Sequence, residues 1–314
     1  MGPREHDRLA WSVAVDAVTA EVTEALGQAR VPCLLLKGPT IADWLYDDRS
    51  RSYTDTDLLV DPARLGEARA VLEEIGFAPA FGGLAHPGME SPPSAPWVRG
   101  PFSVDLHETL PGARAPRSRV WGRLEADSVE LEVGGKVVRA LSQPARLAHI
   151  ALHAAHHGPG IAQPMTDLDR ALARMPAADW ARARHLSDEI GAADAFAVGL
   201  ALSEHGRRRA TELGLDPAPS TAWTVQAVGG VPVAEGLERL RTAGGTRQRV
   251  LIVAHEIAPS PDFMRWWSPL ARRSGRGLAA AYVWRILYLA LHTPGGVRAW
   301  RRARRQSPHF RRTT

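Results

Sequence analysis

The stretch Arg51-Ser52-Tyr53-Thr54-Asp55-Thr56-Asp57-Leu58-Leu59-Val60 constrains this chain more than any other. Side chains alternate across a β-strand, so residues two apart project from one face. Asp55 and Asp57 therefore stand side by side, and the three apolar residues after them anchor the strand in a core. Two neighbouring carboxylates repel unless a cation lies between them. A magnesium ion carrying a polyphosphate satisfies such a pair, because it takes oxygen ligands from both. A solvated strand edge would satisfy them too, so the surroundings decide.

Upstream, residues 6–29 have helical spacing in Leu9, Val13, Val18, Val22 and Leu26, with Gly27 as a stop. Val31 to Leu36 is a short continuous apolar run, the pattern of a buried strand. It ends on Lys37-Gly38, and Pro39 opens a helix through Tyr46. The strand at 54–60 follows a polar loop, and Asp61-Pro62 starts another helix that Gly76 stops. Residues 77–81 read as a third strand and 82–96 as a Gly/Pro-rich loop. Phe102, Val104 and Leu106 alternate with Ser103, Asp105 and His107, so Asp105 and His107 share the face opposite the core. A hairpin over 128–133 and 136–141 turns on Gly134-Gly135.

After Ser142 the pattern is helical, over 144–157, 166–174, 177–190, 192–206, 232–242, 246–256, 276–292 and 295–305. Loops at 158–165 and 214–221 interrupt it. The expected fold is α+β: a mixed sheet with helices in residues 1–141, then an all-helical domain over 142–314.

The ends of three strands supply the chemistry. Lys37-Gly38 closes one, Asp55 and Asp57 lie on the next, and Asp105 lies on a later one. A glycine turn lets backbone N–H groups approach phosphate oxygens, and the helix behind it presents its positive end. Asp55 and Asp57 would hold Mg²⁺ or Mn²⁺ against a triphosphate. Asp105 would share a metal or take the proton of an attacking hydroxyl.

These segments together resemble the nucleotidyltransferase superfamily with its polymerase-β-like fold, in which a strand, a glycine turn and a helix precede an alternating Asp-x-Asp strand and a third carboxylate. Leu35-Leu36-Lys37-Gly38, Arg51 with Asp55-x-Asp57-Leu58-Leu59-Val60, and Val104-Asp105-Leu106-His107 resemble more closely a bacterial branch known as uncharacterised nucleotidyltransferases. The helix with His153 and His157 and the later Asp167-Leu168 also resemble that branch. The resemblance implies transfer of a nucleoside monophosphate from ATP or another NTP to a hydroxyl on a small molecule, peptide or protein. Asp55, Asp57 and Asp105 would then be the catalytic, metal-binding set, with Lys37, Gly38 and Arg51 on the phosphates. The wider superfamily carries Gly-Ser or Gly-Gly where this chain has Lys37-Gly38. Lys37 either supplies a point charge to a phosphate or pairs with the aspartates. Arg51 either meets a phosphate or braces its loop.

Composition supplies the rival. From Phe263 to Thr314 there are 12 arginines and no acidic residue; subtracting them from the net +5 leaves −7 on residues 1–262. A basic end on an acidic body suits a polyanion, a membrane surface or an acidic protein. The alternative is thus an inactive nucleotidyltransferase-type module that holds nucleic acid or a protein partner through its C-terminus. Nucleic acid is the less favoured partner, because 37 of the 39 basic residues are arginine, a bias of the whole chain. The single Cys33 excludes a disulfide framework and reads as a buried, inert thiol. His149, His153 and His157 lie at helical spacing and suit packing better than zinc. Asp167 and Asp169 read as acids at a helix start. The apolar run 278–291 is too short to span a bilayer, and with its trailing arginines it reads as a packed helix. A cytoplasmic location is the default expectation.

Overall fold

The computed structural model describes residues 3–47, 50–80, 94–215 and 232–306. Helix α1 (Pro3–Gln28) leads into β1 (Cys33–Leu35), α2 (Pro39–Leu45) and β2 (Asp55–Val60). A 3₁₀ turn at Pro62–Arg64 precedes α3 (Leu65–Glu74), β3 (Ala78–Pro79), β4 (Ser94–Arg99) and β5 (Phe102–His107). Helix α4 (Arg117–Ala126) and the hairpin β6 (Val129–Val133) and β7 (Lys136–Ala140) complete this part. The seven strands form one mixed sheet in the order β3-β4-β5-β2-β1-β7-β6.

Register decides which residues meet. β2 and β5 are parallel, with Asp57 opposite Asp105 and Leu58 opposite Leu106. β1 runs antiparallel to β2, with Leu35 opposite Leu58. One face of these strands carries Leu35, Leu58, Val60, Val104 and Leu106 into a core with Val18, Val22 and Leu26 of α1 and Val71 and Leu72 of α3. Burying each such side chain contributes roughly 1.5–3 kcal/mol. Thr56 lies on this same face, and its hydroxyl is 2.8 Å from that of Thr19 on α1. The other face therefore receives Asp55, Asp57, Asp105 and His107.

Helices α5 (Gln143–His157), α6 (Ala162–Arg174), α7 (Ala177–Glu189), α8 (Ala193–Ala201) and α9 (Glu204–Glu212) follow. After the undescribed residues come α10 (Pro232–Thr242), α11 (Thr246–Ile257), α12 (Pro261–Trp267), a 3₁₀ turn at Pro269–Arg272, and α13 (Gly275–Gln306). The chain clusters into two compact units. In the first, the described residues up to 80, 94–153 and 166–196 pack together; the second contains 154–165, 197–215 and 232–306.

Several boundaries differ from the sequence reading. The loop expected over 82–96 ends earlier, because Ser94–Arg99 is β4. Its other residues up to 93 lie outside the described ones. Pro96 deceives as a loop signal: it sits within a strand, and its carbonyl accepts from the Ala80 N–H at 2.8 Å. The helix expected at 166 begins at Ala162, and the one expected over 192–206 divides at Ser203. The Ser203 hydroxyl caps α9 by accepting from the Gly206 N–H at 3.0 Å. The two helices expected around Pro294 are one, α13. Proline removes one helical donor; here it does so on an exposed side of the helix.

Candidate active site

The carboxylates converge where β1 and β2 meet at the Lys37-Gly38 turn. Gly38 has φ +76°, and a Cβ there would lie 3.4 Å from the Tyr53 ring. Only glycine takes that backbone without strain, so the chain can reverse at once and enter α2 at Pro39. Lys37, the residue before, reaches across the strand ends. Its Nζ lies 3.0 Å from Asp57 Oδ2 and 3.8 Å from Asp55 Oδ2. The other oxygen of Asp57 meets His107 Nε2 at 2.9 Å. Because a carboxylate only accepts, the imidazole donates from Nε2. His107 stands one register step beyond Asp105 on the same face and reaches diagonally to the neighbouring strand.

Burial by itself would push the Asp57 carboxyl up, but the His107 hydrogen bond and the Lys37 charge bring it down to about 2. Asp55 and Asp105 are moved the other way, by burial first and then by the Asp57 charge. Burial would lower the Lys37 ammonium; Asp57 and Asp55 outweigh it and hold the pKa above its ordinary value. One buried acid is thus firmly ionised between the Lys37 ammonium and the His107 imidazole, while two flanking acids are poised to take protons more readily.

Asp57, Asp105 and His107 place ligand atoms all within 4.8 Å of one another. Two carboxylates and an imidazole suit a divalent ion such as Mg²⁺ or Mn²⁺, the imidazole inclining the set toward Mn²⁺. His107 Nδ1 is buried with no hydrogen-bond partner, a further sign of a site built for more than the protein's own atoms. Asp55 stands beside this trio, held by Lys37.

Arg51 is occupied elsewhere. Its Nε bonds both oxygens of Asp167, at 3.0 and 3.1 Å, and its Nη2 bonds Oδ2 at 2.9 Å. The Tyr46 hydroxyl donates to the same carboxylate at 2.6 Å. Arg51 and Asp167 are 5% and 2% exposed, so this fork is a buried pair, joined through Nε and Nη2 while Nη1 is buried with no hydrogen-bond partner. Arg174 adds bonds of 2.7 Å to the Leu45 carbonyl and to Asp47. The Arg51–Asp167 contact ties the loop before β2 to α6, the geometry that the bracing alternative for Arg51 expects. Asp167 lies in the second turn of α6, not at its start, because the helix begins five residues earlier. Its role left one signal in the sequence: an acid on the buried side of a helix needs a cation.

His149 of α5, 3% exposed, lies near the same charges. Burial, then Lys37 and His107, lower its pKa to about 4, so it is neutral. Its ring is 5.8 Å from that of His153. Among the described residues the metal-capable group is the strand-borne trio, not this histidine row. Cys33 is partly buried against the core, and burial pushes its thiol up to about 12, which keeps it unreactive. A cavity of about 200 Å³ adjoins the turn, lined by Asp16, Pro39, Asp43, Arg51, Tyr53 and Glu132 among others.

A mixed sheet that gathers three strand-borne acids at a glycine turn is the architecture of a nucleotidyltransferase. The family described as "Uncharacterised nucleotidyltransferase" matches residues 12–206, and the chain belongs to it. It is an enzyme of the nucleotidyltransferase class. Among solved structures it is similar to the antibiotic-resistance factor ANT(2'')-Ia in solution, at 17% identity and TM-score 0.40, covering 55% of this chain and 89% of that one. A crystal structure of ANT(2'')-Ia with adenylyl-2''-tobramycin gives 18% identity and TM-score 0.33 over 60% and 95% of the two chains. An antigenic nucleotidyltransferase-like protein from Paracoccidioides brasiliensis gives 14% and 0.40 over 63% and 91%. No curated protein matches.

Proposed function

We propose that the protein transfers a nucleoside monophosphate, AMP from ATP in the first place, to a hydroxyl of a small molecule, peptide or protein. The acceptor oxygen forms a bond to the α-phosphorus, the bond to the β-phosphate oxygen breaks, and pyrophosphate leaves. The hydroxyl proton passes to a carboxylate. Asp105 suits that task, since burial and the Asp57 charge raise its pKa.

The observation that carries this reading is the register pairing of Asp57 with Asp105, capped by one lysine across Asp55 and Asp57. Asp57, Asp105 and His107 would hold a divalent ion, with Asp55 beside them. When bound, such an ion neutralises phosphate charge and orients the triphosphate. Asp57 then has two cationic claimants for one oxygen, and Lys37 is the movable one: its four-carbon stem can carry the ammonium from Asp57 to a phosphate. Gly38 leaves room for that approach. Arg51 contributes by fixing the loop through Asp167, so that Asp55 and Asp57 enter the strand in register.

The test is release of pyrophosphate from ATP with Mg²⁺ in the presence of candidate hydroxyl acceptors, comparing the wild type with Asp57→Asn and Asp105→Asn. Release that depends on both acids supports the reading. Release unchanged in both variants rejects it.

A further inference from the structure

Helix α13 has one side packed within the fold and one side that none of the described residues covers. On the packed side, Ala281 and Arg285 are buried, and Arg285 donates from Nε to the Glu256 carbonyl at 2.8 Å. Its guanidinium lies over the rings of Phe263 and Trp267, and the Tyr282 hydroxyl donates to the Pro259 carbonyl at 2.6 Å. Further along, Ala303 packs on Ala234, and the Trp300 indole donates to Glu238 at 2.8 Å.

The opposite side carries Val283, Trp284, Ile286, Leu287 and Leu291, exposed by 61, 49, 53, 51 and 70%. At about 100° per residue these fall in one stripe. Beyond its two ends, past Ala279, Ala280 and Pro294, the same side carries exposed arginines: Arg276 before it, and Arg298, Arg301, Arg302 and Arg305 after it. The chain places no aspartate or glutamate between Phe263 and Gln306. The surface is thus an apolar strip about 12 Å long, at about 1.5 Å per residue, with arginines beyond each end.

An isolated apolar strip of this size implies a partner, and its charge says which. A second copy set on this face would oppose arginines to arginines or to leucines, with no acid of the face to meet them. A nucleic acid would answer the arginines and leave the five large apolar side chains in water. An anionic lipid surface answers both, taking the apolar strip at the acyl boundary and the arginines at the phosphates. Trp284 is the aromatic type that favours that boundary. No described helix is long and apolar enough to cross a membrane, so the contact is one of lying along it. We propose that α13 docks the protein on an anionic bilayer surface.

The experiment is co-sedimentation of the full chain with vesicles of phosphatidylglycerol and phosphatidylcholine in equal parts, and with phosphatidylcholine alone. Binding to the mixed vesicles should exceed binding to the neutral ones about tenfold and weaken as salt is raised. Leu287→Glu with Leu291→Glu should reduce it at least tenfold. Both positions are exposed, so an unchanged melting temperature in that variant shows the fold intact. Three results overturn the proposal: no binding to mixed vesicles, binding that survives both glutamates, or a dimer in solution that the same glutamates dissolve. Capture of an acidic protein in place of vesicles overturns it too.

Discussion

The β2–β5 strand pair and helix α13 both crowd charges of one sign, and they resolve the crowding in opposite ways. On the strands, Asp55, Asp57 and Asp105 are drawn together by register, and the protein supplies its own partners, the Lys37 ammonium and the His107 imidazole. On α13, Arg298, Arg301, Arg302 and Arg305 share an exposed face with no acid nearby in sequence. Charges taken out of water must be paired within the fold, whereas exposed ones are screened and can await an external partner. Compensation follows burial, and it separates what the molecule needs to stand from what it offers to others.

Substitutions that strip compensation from the buried region should be the most damaging. Asp57→Asn, which removes the acid between Lys37 and His107, should lower nucleotidyl transfer by ~10³-fold or more; steady-state pyrophosphate release measures it. Arg51→Met removes the three guanidinium bonds to the buried Asp167 carboxylate. It should cost about 3–5 kcal/mol of stability, read from urea unfolding. A cost below about 1 kcal/mol would show that this buried charge is not held as the comparison requires.

Acid should expose the same asymmetry. His149 is neutral in the folded protein down to about pH 4, against an ordinary value of 6.5. Between those values the unfolded chain takes up a proton that the folded one refuses, so stability falls as the pH is lowered from 6.5 to 4. The loss is about 3 kcal/mol, and His149→Gln should flatten that limb in melting curves recorded against pH. Asp57, with a folded pKa of about 2, stabilises above the ordinary carboxylate range and loses its contribution only as pH falls through 2.

A smaller effect tests the exchange of cations. Lys37→Met removes the competing ammonium and should tighten Mn²⁺ binding by about tenfold in the absence of nucleotide, as measured by the free-ion signal in electron paramagnetic resonance. Nucleotide binding should weaken in the same variant. Least of all, Arg301→Gln on the exposed face should change stability by less than about 0.5 kcal/mol. A large loss there would mean that the arginine face is compensated inside the fold after all.

Much of the sheet was legible from the chain because its strands alternate or run continuously apolar, and because Gly38, Gly76 and the Gly134-Gly135 pair punctuate them. The facing of Asp57, Asp105 and His107 followed from period two alone. What stayed hidden depended on partners far apart in sequence. The His107–Asp57 contact needs the β2–β5 register, and the Arg51–Asp167 fork joins residues 116 apart. Pro96 and Pro294 misled because each sits where its missing N–H is tolerated, which is a property of the neighbours and not of the proline. For the C-terminal run, hydropathy could identify a helix but could not say that its apolar stripe would be left uncovered.

The most direct measurement is Mn²⁺ titration followed by electron paramagnetic resonance, with a nonhydrolysable ATP analogue present, in the wild type and in Asp57→Asn. The account predicts stoichiometric Mn²⁺ binding in the wild type that is lost in the variant. Equal binding in both proteins, or none in the wild type, would contradict it.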